Sequence, residues 1–505
     1  MHAEVVVVGG GPVGLLVAAE LAGYGVDTLV LEARAEVDER PKATTLHARA
    51  VQSLARRGHL PPDVAPASAG TAAGRFHFAG IHELVITVPE TEPEPILKRP
   101  QAELERWFEG RALAAGARVL REHRVTGLTQ RDGAVRLTVE GPQGTATCSA
   151  AYVVGADGAR STVRDLGGID SDATPATVSA LVGLARLRDP GDLEQGWLRT
   201  PRGWIVSKRT PAGDTHIRTV DCSGAHTGRK TPPSPRELQR EVSRIAGREV
   251  AMEGARWISR FSDFTRLART FRAERVFLVG DAAHLHFPIG GQGLSTGVLD
   301  ALNLGWKLAL AVCGTAGAGL LDTYDLERRP AARGVVDNTR AQLALMRQGA
   351  EVDALREVFT GLLTADRDTA RLSDMISGQG TVLPAHTDRP CGSEGRFPPN
   401  ARIVTRAGET DLIGLLREGS PLLLLFGERA ERYGEEARPW SDTLCVVHAS
   451  PTPAMPYEAL LVRPDGHIAW SQDGGPPADA LSWYFGPRVR AAVGGTDQLA
   501  RSSRA

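Results

Sequence analysis

The residues in this chain whose types and spacing could do chemistry are glycines and carboxylates at the ends of apolar runs. In VVVVGGGPVGLL a β-branched run over residues 4–8 leads into Gly9, Gly11 and Gly14, the only GxGxxG match in the sequence. Pro12 falls at the first position of an apolar helix, where its missing N–H costs nothing. A second apolar run, residues 26–31, ends on Glu32, 18 residues after Gly14. Strand, glycine turn, helix, strand and acid in that order can seat a dinucleotide. Gly9 permits the tight turn, Gly11 lets the backbone approach a pyrophosphate at the positive end of the helix, Gly14 allows close helix–strand packing, and Glu32 accepts from a ribose hydroxyl. At this point FAD and NAD(P) both remain open.

Two further stretches place carboxylates in the same way. YVVGADGARSTVR, residues 152–164, is an apolar strand ending in Asp157-Gly158. VFLVGDAAHLHFPIGGQGLSTGVLDALNLGWKL, residues 276–308, is a strand ending in Gly280-Asp281, then a Pro/Gly-rich loop and a long apolar helix. A strand ending in Asp281 sets a carboxylate at the carboxyl edge of a parallel sheet, where open α/β folds bind ligands. The loop from Pro288 to Gly293 has few side chains to block backbone approach, and the following helix start turns a positive dipole end toward whatever lies above it.

Together, in this order and at these positions, the three stretches resemble the class A flavoprotein monooxygenases, the aromatic hydroxylases, and in particular their bacterial polyketide-tailoring and antibiotic-modifying branch. The resemblance implies FAD as cofactor. It places Gly9, Gly11, Pro12, Val13, Gly14, Glu32, Ala33 and Arg34 along the adenosine and pyrophosphate, and Asp157, Gly280 and Asp281 at the sheet edge below the ribityl chain. Pro288, Gly291, Gly293, Leu294 and Ser295 then fall beside the flavin ring. Lys42, in RPKATTLHAR, matches a position usually basic and facing the cofactor. Gln101 matches a glutamine that contacts the flavin, and Val125 a position whose backbone meets the adenine. Ser295 departs from the family's usual Asn; it keeps a hydroxyl able to cap the helix.

The chemistry implied is reduction of FAD by NAD(P)H, NADPH favoured, and delivery of one oxygen atom from O2 through a flavin C4a-hydroperoxide to a polycyclic aromatic, polyketide-type substrate. Baeyer–Villiger insertion or inactivation of an antibiotic is an alternative, as is a flavin-containing binding protein that holds a polyketide intermediate without oxidising it. The sequence contains no second GxGxxG for the nicotinamide, as befits a family in which it visits transiently. No catalytic side chain can be singled out.

The elements that must position these residues form an α/β fold in three parts. A Rossmann-like FAD-binding domain is expected from the separated segments 1–72, 100–178 and 271–345. An antiparallel-sheet substrate domain is expected from 73–99 and 179–270, with Phe76, His77, Phe78 and Trp204 as packing residues. Residues 322–346 read as a helix broken at Pro330, and 346–384 as a helical linker. Residues 385–505 resemble the thioredoxin-like carboxyl-terminal domain of this branch, without a CxxC pair and so without its redox chemistry.

Composition narrows the class. Lys plus Arg number 59 against 60 Asp plus Glu, so no net field attracts nucleic acid or an acidic membrane. Five cysteines lie no closer than 54 residues apart, which gives neither a disulfide framework nor a metal or redox pair. His284 and His286 form HxH without a further ligand at metal spacing, so no metal is expected. The uncharged apolar stretch over residues 308–321 is too short for a membrane span. With no export signal at the amino terminus, the expectation is a cytoplasmic protein, monomer or homodimer.

Overall fold

The computed structural model describes residues 1–40, 42–64, 72–225, 231–364 and 369–488; the parts of the segment expectations that fall elsewhere, notably 489–505, lie outside the described residues. The first apolar run forms the strand His2–Val8, with Val5, Val6 and Val7 fully buried, as a strand covered on both faces requires. It pairs in parallel with Thr28–Leu31 on one side and with Gly144–Gly155 on the other, and the latter pairs in parallel with Val276–Leu278. Register sets the strand ends side by side: Val8 lies opposite both Leu31 and Gly155, and Gly155 opposite Leu278. The residues that follow each strand, Gly9, Glu32, Ala156-Asp157 and Gly280-Asp281, therefore share one sheet edge.

A second sheet is antiparallel, in the order Gly196–Thr200, Gly203–Arg209, Thr215–Val220, Ser179–Leu187, Met252–Ser262. Alternation gives it two faces. Leu181, Ala185, Ile205 and Ile217 pack on Leu238, Val242 and Ile245 of the helix Pro235–Ala246. Trp197, Trp204 and Val206 are on the other face, and the hairpin Ala72–Phe78 with Ile81–Val88 closes over it. The hairpin turn comes so near that a Cβ at Gly80 would lie 3.0 Å from Trp204 and 3.1 Å from Trp197. Phe78 and Trp204 share a buried cluster with Val220 and Met346, and Trp204 Nε1 donates to Met346 O at 2.7 Å.

The carboxyl-terminal unit is a mixed sheet, ordered Gly408–Asp411, Arg402–Thr405, Cys445–Ala449, Leu422–Phe426, Ala459–Val462, Ile468–Ser471. Leu422–Phe426 runs parallel to Cys445–Ala449 and antiparallel to Ala459–Val462, and the helix Pro477–Phe485 follows the last strand.

One expectation fails. The helix Thr323–Met346 runs unbroken through Pro330. Proline removes the bond to the carbonyl of Leu326 four residues back, but Pro330 and Leu326 both lie on the exposed side, where solvent is available to that carbonyl. The opposite face is held by buried Glu327 and Arg328, and tertiary contacts override the local break.

Candidate active site

The glycines of the first turn divide by what surrounds them. Gly9 has φ 110°, and a Cβ there would sit 2.4 Å from Ala156 O; a Cβ at Gly14 would sit 2.1 Å from Gly9 O. These two are required by packing. A Cβ at Gly11 meets nothing within 4 Å, so its backbone opens onto free space at the start of the helix Pro12–Gly23. No side chain caps that helix and no acid lies in its first turn, which leaves the N–H groups to an outside acceptor. Glu32 reaches over the turn and accepts from Gly10 N–H at 2.6 Å and Arg34 N–H at 2.8 Å. Arg34 O and Glu32 O in turn accept from Glu122 N–H and His123 N–H, which brings in the strand Arg124–Arg131 with buried Val125. Ala33 is half-buried between them.

The third motif docks on the first. A Cβ at Gly297 would lie 2.7 Å from the Val13 side chain, so the helix Gly293–Val312 touches the helix Pro12–Gly23. Asp281 is exposed, yet enough protein surrounds it to raise its carboxyl above the ordinary range, against the pull of His284 and Lys42. Both hold for a residue on the wall of a deep cleft. Its carboxylate makes no hydrogen bond among the described residues. Lys42 lies near enough to act on Asp281 and is itself 3.0 Å from Asp38. Gln101 N–H donates to Ala43 O at 3.0 Å, which ties the start of the helix Gln101–Ala114 beside Lys42.

The Gly-rich loop takes a 3-10 turn over Ile289–Gly291, with Gly290 at φ 76° and Gly291 at φ 62°. Pro288 is exposed, Gly293 half-buried and Leu294 buried. The helix beyond has Gln292 at its N-cap, with no side-chain cap and no acid in the first turn. This corrects the capping expectation for Ser295. That residue lies inside the helix, and its hydroxyl instead accepts from His47 N–H at 3.0 Å. The oxygens of Asp157 are engaged within its own turn: they accept from the Ser161 hydroxyl at 2.5 Å and from Val163 N–H at 3.0 Å, and burial raises its pKa. It shapes the turn packed against Gly9.

Three supporting residues were missed from sequence. Asp300, fully buried, accepts from Gly280 N–H at 3.1 Å and lies 2.7 Å from His284 Nε2, while Arg328 Nε donates to it at 2.8 Å. The signal was a lone acid inside the apolar GVLDALNL. His47 Nε2 donates to Gly290 O at 2.7 Å, and burial lowers its pKa to about 4, so the ring is neutral. Asn338 Nδ2 donates to Gln292 Oε1 at 2.5 Å, which pins the loop to the long helix Thr323–Met346, and Gln292 Nε2 donates to the carbonyls of Met375 and Ile376 on the helix Thr369–Ser377. Of the HxH pair, His284 is spent on Asp300, and buried His286 is neutral, its pKa lowered to about 4.

Comparison with known proteins accords with this geometry. Residues 2–339 match the family described as FAD binding domain, and residues 392–487 match the family described as aromatic-ring hydroxylase, C-terminal. The chain is 36% identical to a 12-dehydrotetracycline 5-monooxygenase/anhydrotetracycline 6-monooxygenase of Streptomyces rimosus, over 96% of this chain and 99% of that one. It is also 36% identical to a rifampicin monooxygenase of Rhodococcus hoagii, over 96% and 99%. The solved anhydrotetracycline hydroxylase OxyS from Streptomyces rimosus superposes with a TM-score of 0.87 at 34% identity, covering 97% of this chain and 100% of that one.

Proposed function

The chain belongs to the class A FAD monooxygenases of the aromatic-ring hydroxylase type, and from that premise we propose that it inserts one oxygen atom from O2 into a polycyclic aromatic, polyketide-type substrate, with NAD(P)H as reductant. The observation that carries the reading is the convergence of Gly9, Glu32, Ala156 and Asp281 at one sheet edge, around open space at Gly11. These residues fit FAD. The uncapped N–H groups after Gly11 would take the pyrophosphate, Glu32 would accept from a ribose hydroxyl, and the backbone at Val125 would meet the adenine. Asp281, without a hydrogen bond among the described residues, would accept from a hydroxyl of the ribityl chain, with Lys42 and Gln101 flanking. Gly291, Gly293 and Leu294 would hold the ring, and the uncapped start of Gly293–Val312 would stabilise negative charge on it. When bound and reduced, FAD supplies the activation of O2; the chain's own part is to orient the cofactor, exclude water and hold the substrate.

In this reading the parallel sheet is a Rossmann-like FAD domain drawn from 1–72, 100–178 and 271–345. The antiparallel sheet is the substrate platform, and the carboxyl-terminal unit is thioredoxin-like. NADPH visits without a domain of its own, and the protein works in the cytoplasm as monomer or homodimer. A second reading, action on an antibiotic as its inactivator, is favoured by the likeness to a rifampicin monooxygenase.

Purified protein supplied with NADPH, 18O2 and a panel of polycyclic phenols tests both. The expected result is a yellow protein, NADPH oxidation stimulated by substrate, and one heavy oxygen in the product. Protein that takes up no FAD overturns the reading; flavin-loaded protein that binds phenols without oxidising them favours the non-oxidising holder.

A further inference from the structure

The substrate face of the antiparallel sheet carries cations without counter-ions. Lys208 lies opposite His216, and Arg218 opposite Val206, which itself lies opposite Trp197. Opposed residues of an antiparallel pair point to the same side, so these side chains share the face turned away from Pro235–Ala246. Lys98 stands on the wall across from them, on the short strand paired with Thr45–His47. Its ammonium donates to Thr45 Oγ1 at 2.7 Å and lies 5.3 Å from the centre of the Phe76 ring. The two walls meet where His77 packs 4.6 Å from Trp197 and 4.7 Å from Phe76. The flavin loop adjoins them, since Phe76 lies 4.8 Å from His47, which bonds Gly290.

Among the described residues, Lys98, Lys208 and Arg218 form no ion pair, and Arg218 makes no hydrogen bond. Nearby carboxylates are held by other arginines: Asp214, just before the strand Thr215–Val220, by Arg186 and Arg256, Asp221, just after it, by Arg244, and Glu237, on the helix Pro235–Ala246, by Arg260. His77 Nδ1 is buried without a partner. Arg218 is exposed, yet surrounding protein lowers its pKa; Lys98 is lowered by burial, then by Lys208 and Arg218. His216 is lowered to about 4 by burial, then by Arg218 and Lys208. Like charges crowded on a cleft wall destabilise one another until an anion enters. The whole chain carries a formal charge of −1, so this patch is no part of a general basic surface.

We propose that the wall formed by Lys98, Lys208 and Arg218 holds the oxyanion of a planar aromatic substrate, a carboxylate or an ionised phenol, while the half-buried Phe76 and Trp197 take its rings. This rests on the oxygenase reading and specifies its substrate as an anion. The interleaved rings favour an aromatic anion over the phosphates of a dinucleotide, which need no apolar walls.

The test uses FAD-loaded protein and two probe pairs measured by calorimetry: anthraquinone-2-carboxylate against its carboxamide, and alizarin against its 2-methyl ether. In the natural protein the anion of at least one pair is expected to bind about tenfold or more tighter than its neutral partner, an advantage that shrinks as salt rises. Which pair discriminates identifies carboxylate or phenolate. The double variant Lys208→Met, Arg218→Met is expected to lose the preference but keep the neutral probes, and Arg218→Lys to retain it. Equal binding of both members of each pair, no binding of any probe, or a preference that survives the double variant overturns the proposal. So does a double variant that loses NADP+ and keeps its probe preference. Flavin content is measured separately, so failure of the oxygenase reading shows as missing FAD and failure of this inference as missing discrimination.

Discussion

Replacing Gly11 by Ala separates holding the fold from holding the cofactor. Gly11 has φ −75° and ψ 174°, a conformation any residue adopts, and its Cβ would meet nothing within 4 Å. The apoprotein should tolerate the change, because the small loss at a helix N-cap is offset by a less flexible unfolded chain, a net of a few tenths of a kcal/mol. FAD should not tolerate it. A phosphate accepting from the first-turn N–H groups must come within about 3 Å of the backbone, and a methyl group occupies that approach. Loss of two charge-assisted hydrogen bonds at about 1.5–3 kcal/mol each amounts to roughly 100- to 10,000-fold in Kd. Gly14→Ala is the opposite case: a Cβ 2.1 Å from Gly9 O forces backbone movement, so about 3 kcal/mol of stability goes before any ligand is added. Thermal unfolding of the apoproteins and flavin fluorescence titration measure the two quantities. If Gly11→Ala binds FAD as the natural protein does, the pyrophosphate does not lie against Gly11 and the division of the three glycines is wrong.

Arg463→Met should destabilise by about 3–5 kcal/mol, because it leaves buried Glu327 and Asp465 without the guanidinium that bonds both. Both carboxyls are held below their ordinary values of 4.5 and 3.8, against burial and chiefly by Arg463, so their stabilisation is full above those values and is lost as pH falls through the lowered ones. Denaturant unfolding should therefore show stability dropping below about pH 4, less steeply in Arg463→Met. Ser295→Ala orphans the buried His47 N–H and should cost about 1–3 kcal/mol, whereas Ser295→Thr keeps the hydroxyl and the stability; unfolding midpoints of the pair decide.

The sheet-edge turns of the candidate site were legible because their geometry is local. A strand, the turn after it and the helix start are contiguous, and the demands on Gly9, Gly14 and Asp281 follow from the backbone of a few neighbours. The wall at Lys98, Lys208 and Arg218 was not legible, since strand alternation assigns residues to faces without telling which face a helix will cover. Only the packing of Ile205 and Ile217 on Pro235–Ala246 fixes that Lys208 and Arg218 face the cleft. The supports at His47 and Asp300 join residues far apart in sequence, and a lone polar residue in an apolar run announces burial but not its partner. At Pro330 the local rule was sound, but exposure of Leu326 removed its force.

The same packing explains why a chain with its cofactor machinery in residues 2–339 carries a further sheet. The helix Gly293–Val312 presents its amino-terminal end to the cleft, and its position there depends on what holds the other end. Trp306 and Leu310 are buried against Leu423, Leu461, Trp470 and Phe485 of the carboxyl-terminal unit. Lys307 and Asn303 bond Glu327, which Arg463 grips from across the interface. Tyr24, at the end of the helix Pro12–Gly23, donates to Gly419 O at 2.6 Å, and Arg57 donates to Leu416 O at 3.0 Å. The carboxyl-terminal sheet thus braces both helices whose amino-terminal ends line the cleft, at the ends away from it. Displacing that brace is expected to move the amino-terminal ends of both helices without touching a residue of the cleft, a structural role that needs no cysteine pair.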